Sequence, residues 1–175
     1  MKISGRNLKR RLYGLSLIGN RLRRIKHYRG HGVHSPFVYS LVRNVLMNKS
    51  HIDGDNSLYN SLYNNLIQIG VTHKRAIQLQ RIMYHCGYTS FSIDNYSEGA
   101  QFCILSESYP TDQLLIPFTQ AVESGTTLVV LSPYYNKART KQVEELIASH
   151  RSTSVDNRAY IIFFNNYLPK QHYKL

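Results

Sequence analysis

The chain has 175 residues, 42% of them apolar, which is enough for one domain with a real core plus a helical extension. No apolar run approaches the roughly 20 residues that cross a membrane, and the start MKISGRNLKRRLYG lacks the continuous apolar stretch of a signal peptide, so a cytoplasmic protein without a transmembrane segment is expected. The net charge of +12 is carried by the first third: twelve Lys or Arg precede the first acidic residue, Asp53, and from Asp53 onward ten basic residues balance ten acidic ones.

In residues 6–29 the apolar positions Leu8, Leu12, Leu15, Ile18, Leu22 and Ile25 recur every three or four residues, the stripe of an amphipathic helix whose other faces are basic. Gly14, Gly19 and Asn20 weaken its middle. Ser35 is a natural N-cap and Pro36 suits the first helical position, so a second helix begins there, with Phe37, Val38, Leu41, Val42, Val45 and Leu46 as its apolar face. The loop HIDGDN leads to a helix with Leu58, Tyr59, Leu62, Tyr63, Leu66 and Ile67 on one side, closed by Gly70. Thr72 caps the next, which runs through Ala76, Ile77, Leu79, Ile82 and Met83 to Gly87.

From Tyr88 the texture changes to short runs of β-branched and aromatic residues, which predict strands at 88–93, 101–106, 126–131, 152–156 and 158–164. Helices fit between them at about 110–124, where Pro117 threatens a kink, and at about 137–149, with Val143, Leu146 and Ile147 inward. The corner Asp156-Asn157-Arg158 is too short for a helical crossover, so the last two strands pair as a hairpin and the sheet is mixed. The predicted organisation is a basic amphipathic extension over 1–30, a helical segment over 31–87, and a reduced α/β unit over 88–175.

The run His31-Gly32-Val33-His34-Ser35-Pro36-Phe37-Val38-Tyr39 resembles the segment that leads into the catalytic domain of a group of bacterial class I S-adenosylmethionine-dependent methyltransferase-like proteins. Lys74 to Arg81 is similar to the helix before that family's first strand. Ile161 to Phe164, followed by Leu168 to Leu175, resembles its closing strand and terminus. The likeness spans about residues 25–85 and 101–175 and implies a Rossmann-like sheet ending in an antiparallel hairpin.

What lies between these stretches departs from the family. A class I methyltransferase ends its first strand in a Gly-rich turn and holds the cofactor ribose with a carboxylate after the next strand. Here the only residues available are Asp94 to Ala100, with one glycine, and a parallel crossover ordinarily needs about 10–12 residues or more. After the 101–106 strand the resemblance calls for Asp-Gly and the chain has Ser106-Glu107. After the 126–131 strand it calls for paired aspartates, and the chain has Ser132-Pro133. Asp94 and Glu107 are the acids left as cofactor-binding candidates; no residue is assigned a catalytic role and no metal is expected.

The resemblance therefore implies a degenerate, non-catalytic relative that takes no cofactor. Two other readings stay open: an active methyltransferase using S-adenosylmethionine in an atypical pocket around residues 93–107, and a binder of RNA or an anionic surface. The last would use Lys9, Arg10, Arg11, Arg21, Arg23 and Arg24, with Tyr13, Tyr28 and Tyr39 available to stack on bases. His31, His34 and Ser35 are too few ligands for zinc and read as a helix-initiating turn, or as part of the substrate mouth that the resemblance implies. His85-Cys86 and Cys103 read as core rather than as a nucleophile with its base, and two cysteines make no disulfide framework. The 88–93 strand, left at a sheet edge, makes a homodimer a further expectation.

Overall fold

The computed structural model describes residues 35–48, 57–166 and 168–175. The predicted helix over 6–29, and with it Lys9, Arg10, Arg11, Arg21, Arg23, Arg24, His31 and His34, lies outside the described residues. Helix α1 (Pro36–Leu41) begins as the sequence predicts, with the Val38 N–H donating to Ser35 Oγ at 3.3 Å and Pro36 in the first turn. It continues as a π-helical turn, Val42–Leu46. Helix α2 (Ser57–Gln68) ends where Gly70 turns left-handed at φ +83° and the Val71 N–H reaches back to Leu66 O at 2.9 Å. Helix α3 (His73–His85) starts at Thr72, whose backbone carbonyl, rather than its hydroxyl, takes the first amides. No helix among the described residues is long and apolar enough to cross a membrane.

The remainder alternates strands and helices: β1 (Phe91–Ile93), β2 (Phe102–Leu105), α4 (Leu115–Ser124), β3 (Thr127–Leu131), α5 (Lys137–Ser149), β4 (Thr153–Asp156), β5 (Tyr160–Phe163) and β6 (Gln171–Lys174). They form one mixed, Rossmann-like sheet of six strands in the order β1-β2-β3-β5-β4-β6. β1, β2 and β3 are parallel, β5 enters antiparallel between β3 and β4, and β6 runs parallel to β4. The 156–158 corner makes the predicted hairpin, β4 to β5. β6 is an addition to the five predicted strands.

Side chains alternate across the sheet and build a core on each face. Phe102, Ile104, Val129, Leu131, Tyr160 and Ile162 face α1, α2 and α3, meeting Leu41, Leu62, Leu66 and Leu79. Cys103, Leu105, Leu128, Val130, Ile161 and Phe163 face α4 and α5, meeting Phe118, Ala121, Val143 and Leu146. Strands buried on both sides carry no polar alternation, which is why β2, β3 and β5 read as continuous apolar runs. Ile67, expected inward, is exposed.

Three local departures have visible causes. β1 is shorter than 88–93 because Tyr88, Thr89 and Ser90 are tied elsewhere: Tyr88 stacks on Phe102 and bonds Thr127 Oγ1 at 2.6 Å, the Thr89 N–H donates to Gln101 Oε1, and Ser90 Oγ donates to Gly99 O. The Pro117 problem resolves by a reset: residues Thr111–Gln113 form a 3-10 turn, and α4 proper starts at Leu115, so the proline falls in its first turn, where a missing N–H is harmless. β1 and β2 are joined in parallel by only residues 94–101, below the usual crossover length. With strands of three and four residues, the return is roughly 13 Å at about 3.3 Å per residue, and eight extended residues reach about 26 Å.

At the amino edge of the sheet, His150 is 2% exposed, packed between the rings of Phe118 and Phe163, with Nε2 2.9 Å from Asn165 Oδ1. Burial lowers its pKa below the ordinary 6.5; the bonds to Asn165 and Ser152 partly oppose this, and Lys170 adds to it. Protons therefore bind the unfolded chain more readily than the folded one once the pH falls through the unfolded value. Stability measured by urea denaturation is expected to hold above pH about 6.5 and to decline below it, and His150→Gln should flatten that decline. An unchanged slope in the variant would remove this role.

Candidate functional site

In open α/β sheets ligands sit outside the carboxyl ends of parallel strands, where neighbouring connections leave for opposite faces and open a crevice. The carboxyl ends of β1, β2, β3 and β4 all lie on one edge of this sheet, so Asp94, Ser106-Glu107, Ser132-Pro133 and Asp156 line up there. The connections do not diverge. Both α4 and α5 cover one face, and the 94–101 link runs along that same face, with Tyr96 packed on its core and the Cys103 thiol near Asn95 O at 4.0 Å.

The edge is closed by the chain's own side chains. Asp94, at φ +55°, accepts the Ser106 N–H on Oδ1 at 2.6 Å and so ties the end of β1 to the end of β2. Arg139, in the first turn of α5, is 1% exposed. Its guanidinium donates to Ser106 O at 2.8 Å, Tyr109 O at 2.9 Å and Leu131 O at 3.1 Å, bridging the ends of β2 and β3; its Nε is buried without an acceptor. Burial pushes the Arg139 pKa down, and the negative charges of Glu107 and Asp94 oppose that. Ser132, also left-handed at φ +47°, extends the sheet by donating its N–H to Ala159 O.

One strand further along, Asp156 is fully buried, accepting the Tyr134 hydroxyl at 2.5 Å and the Arg158 N–H at 2.7 Å. On the helical side of the same edge, Gln78 Oε1 accepts from Arg75 at 2.8 Å and from the buried Tyr160 hydroxyl at 3.4 Å. Asp94 and Asp156 are thus engaged in holding backbone amides, and Gln78 in holding two side chains.

Of the two acids retained as candidates, Asp94 is thus a strand-end clamp with one oxygen committed, and Glu107 is half-buried beside Arg139. Ser35 caps α1, and Phe37 next to it packs edge-on against Phe164 at 5.0 Å. Phe164 follows β5 beside the amino end of β3, so Ser35 and Phe37 stand at the opposite edge from the carboxyl ends. The two cysteines are apart: burial pushes the Cys86 thiol up to about 11 and raises Cys103 as well, while His85 Nε2 lies 3.3 Å from Ser40 Oγ. A protonated, buried thiol is a poor nucleophile.

Arg139 is the residue that sequence reading missed. Its signal was present: Arg139, Val143 and Leu146 stand at i, i+4 and i+7 on the inward stripe of the predicted 137–149 helix, so a cation there had to be buried and held.

Three substitutions at two positions test the clamp through urea denaturation. Arg139→Met should cost about 3 kcal/mol or more, because it deletes charge-assisted bonds and strands buried carbonyls. At Asp94, Asn keeps an acceptor and tolerates the left-handed backbone, so it should be near neutral, whereas Ala loses both and should cost about 1–2 kcal/mol. Equal stability of Asn and Ala at position 94 would show that the Ser106 contact contributes nothing. No protein-family model, curated protein or solved structure matches this chain.

Proposed function

We propose that this chain is a degenerate class I methyltransferase-like protein that neither holds S-adenosylmethionine nor transfers a methyl group. The observation that carries the reading is the β1–β2 link: residues 94–101 pass from one parallel strand to the next with no helix and no glycine-rich turn. In the resembled family that position builds the nucleoside pocket, with backbone close to the cofactor and a carboxylate on its ribose. The strand order β1-β2-β3-β5-β4, three parallel strands followed by an inserted antiparallel one, agrees with the half-sheet the resemblance implies.

The residues present do not fit the methyl donor. Asp94, the acid nearest to a ribose-binding position, spends an oxygen on the Ser106 amide, and the guanidinium of Arg139 fills the space between the ends of β2 and β3. A nucleoside bound there would have to displace three hydrogen bonds to a buried cation, and those bonds are individually strong. What remains is an α/β platform with a strongly basic N-terminal third, the makings of an interaction module rather than an enzyme.

Isothermal titration with S-adenosylmethionine and with its demethylated product tests the reading. No saturable heat is expected from either ligand at millimolar concentration. Saturable micromolar binding that Asp94→Ala abolishes would instead support an active enzyme with an atypical pocket around residues 93–107.

A further inference from the structure

The charge asymmetry of the sequence has a structural counterpart. Asp53 and Asp55 are the only carboxylate side chains before Asp94, so α1, the π-helical turn after it, α2 and α3 carry Arg43, Lys74, Arg75 and Arg81 with no acid among them. Residues 88–175, by contrast, hold seven Lys or Arg against eight Asp or Glu. The sheet thus separates a helical layer of one sign from a mixed remainder.

The outer surface of that layer is also aromatic. α3 packs against both α2 and the π-helical turn after α1, so the three make a continuous surface. On it, Tyr84 is 55% exposed and stands edge-on to Tyr59 of α2 at 5.4 Å. One turn back, Arg81 donates to Asn44 O at 3.3 Å, and His85 lies 3.3 Å from Ser40 Oγ. Tyr39, 47% exposed, and Arg43 continue the surface at i and i+4.

We infer that this face binds single-stranded nucleic acid, with bases stacking on Tyr39 and Tyr84 and phosphates drawn to Arg43 and the surrounding positive layer. Exposed rings beside cations, on helices whose described residues include no carboxylate, are the elements of a stacking platform in an electropositive groove. An anionic membrane fits less well, because the neighbours of Tyr39 and Tyr84 in sequence, Ser40 and His85, are polar and bonded to each other, with Asn44 donating to Ser40, where an inserting helix would carry Leu, Phe or Trp. A duplex hides its bases, and a surface spread over three helices offers no single element to enter a groove. The inference is separate from the reading of the carboxyl edge, which is a different surface.

Fluorescence anisotropy of the full chain with labelled oligo(U) and oligo(dT), from about 50 to 200 mM salt, tests it. Tyr39→Ala and Tyr84→Ala should each weaken binding at least about fivefold with the salt slope unchanged. Arg43→Gln should lower that slope by about 0.7, the value for one phosphate contact on a single strand. All three positions are on the surface, and circular dichroism checks that the variants stay folded. Absence of binding at the lowest salt, binding indifferent to both tyrosine changes, equal affinity for a duplex, or binding only to phosphatidylserine vesicles would each overturn the inference.

Discussion

A guanidinium removed from water must be surrounded by acceptors, and the arrangement around Arg139 follows from that requirement. The acceptors it finds are backbone carbonyls at the ends of β2 and β3 and in the loop between β2 and α4. These are the groups that would otherwise open toward a ligand at the carboxyl edge. Once the cation sits there, the first turn of α5, the 106–109 loop and the end of β3 form one unit, and Asp94 adds the end of β1 through the Ser106 amide. The edge where an α/β sheet usually places its chemistry is here part of the scaffold.

The same closure explains how so short a sheet keeps its layers. With only residues 94–101 between β1 and β2, no helix among the described residues covers β1 on the α4 side; Tyr96 and the backbone of Asn95 take that place. The opposite face is fully served, because α1, α2 and α3 share one apolar cluster with the strands. Two buried glutamines join those helices: Gln78 reaches Leu46 O, and Gln80 reaches Tyr59 O and Asn60, each at 3.2 Å. Buried amides that find such partners fix the relative placement of helices that apolar contacts alone would leave free to slide.

Periodicity made most of the fold readable. The apolar runs of β2, β3 and β5 and the stripes of α1, α3 and α5 are written in single residues, because each buried side chain must be apolar whatever its neighbours do. β6 was not readable that way: Gln171-His172-Tyr173-Lys174 has no strand pattern, and it pairs because β4 supplies partners, with Thr153 Oγ1 donating to Pro169 O and Ser154 Oγ meeting His172 Nδ1, both at 2.8 Å. The same reasoning applies to the edge. That no acid directly follows β2 or β3 was visible in Ser106 and Ser132-Pro133, but what fills the space was not, since Arg139 lies 33 residues from Ser106 and only the folded chain brings them together. Asp94, visible as an acid, turned out to serve a backbone amide.

If the carboxyl edge is a closed part of the scaffold, its amides and the Arg139 Nε–H should behave as core groups. Nuclear magnetic resonance on the isotope-labelled chain reads them individually. The Ser106 amide and the Arg139 Nε–H should exchange slowly with solvent and keep their shifts when S-adenosylmethionine is added to millimolar concentration. Saturable shifts at Asp94, Ser106 and Arg139, with faster exchange at the guanidinium, would show a pocket that opens for the methyl donor and would contradict the closed edge.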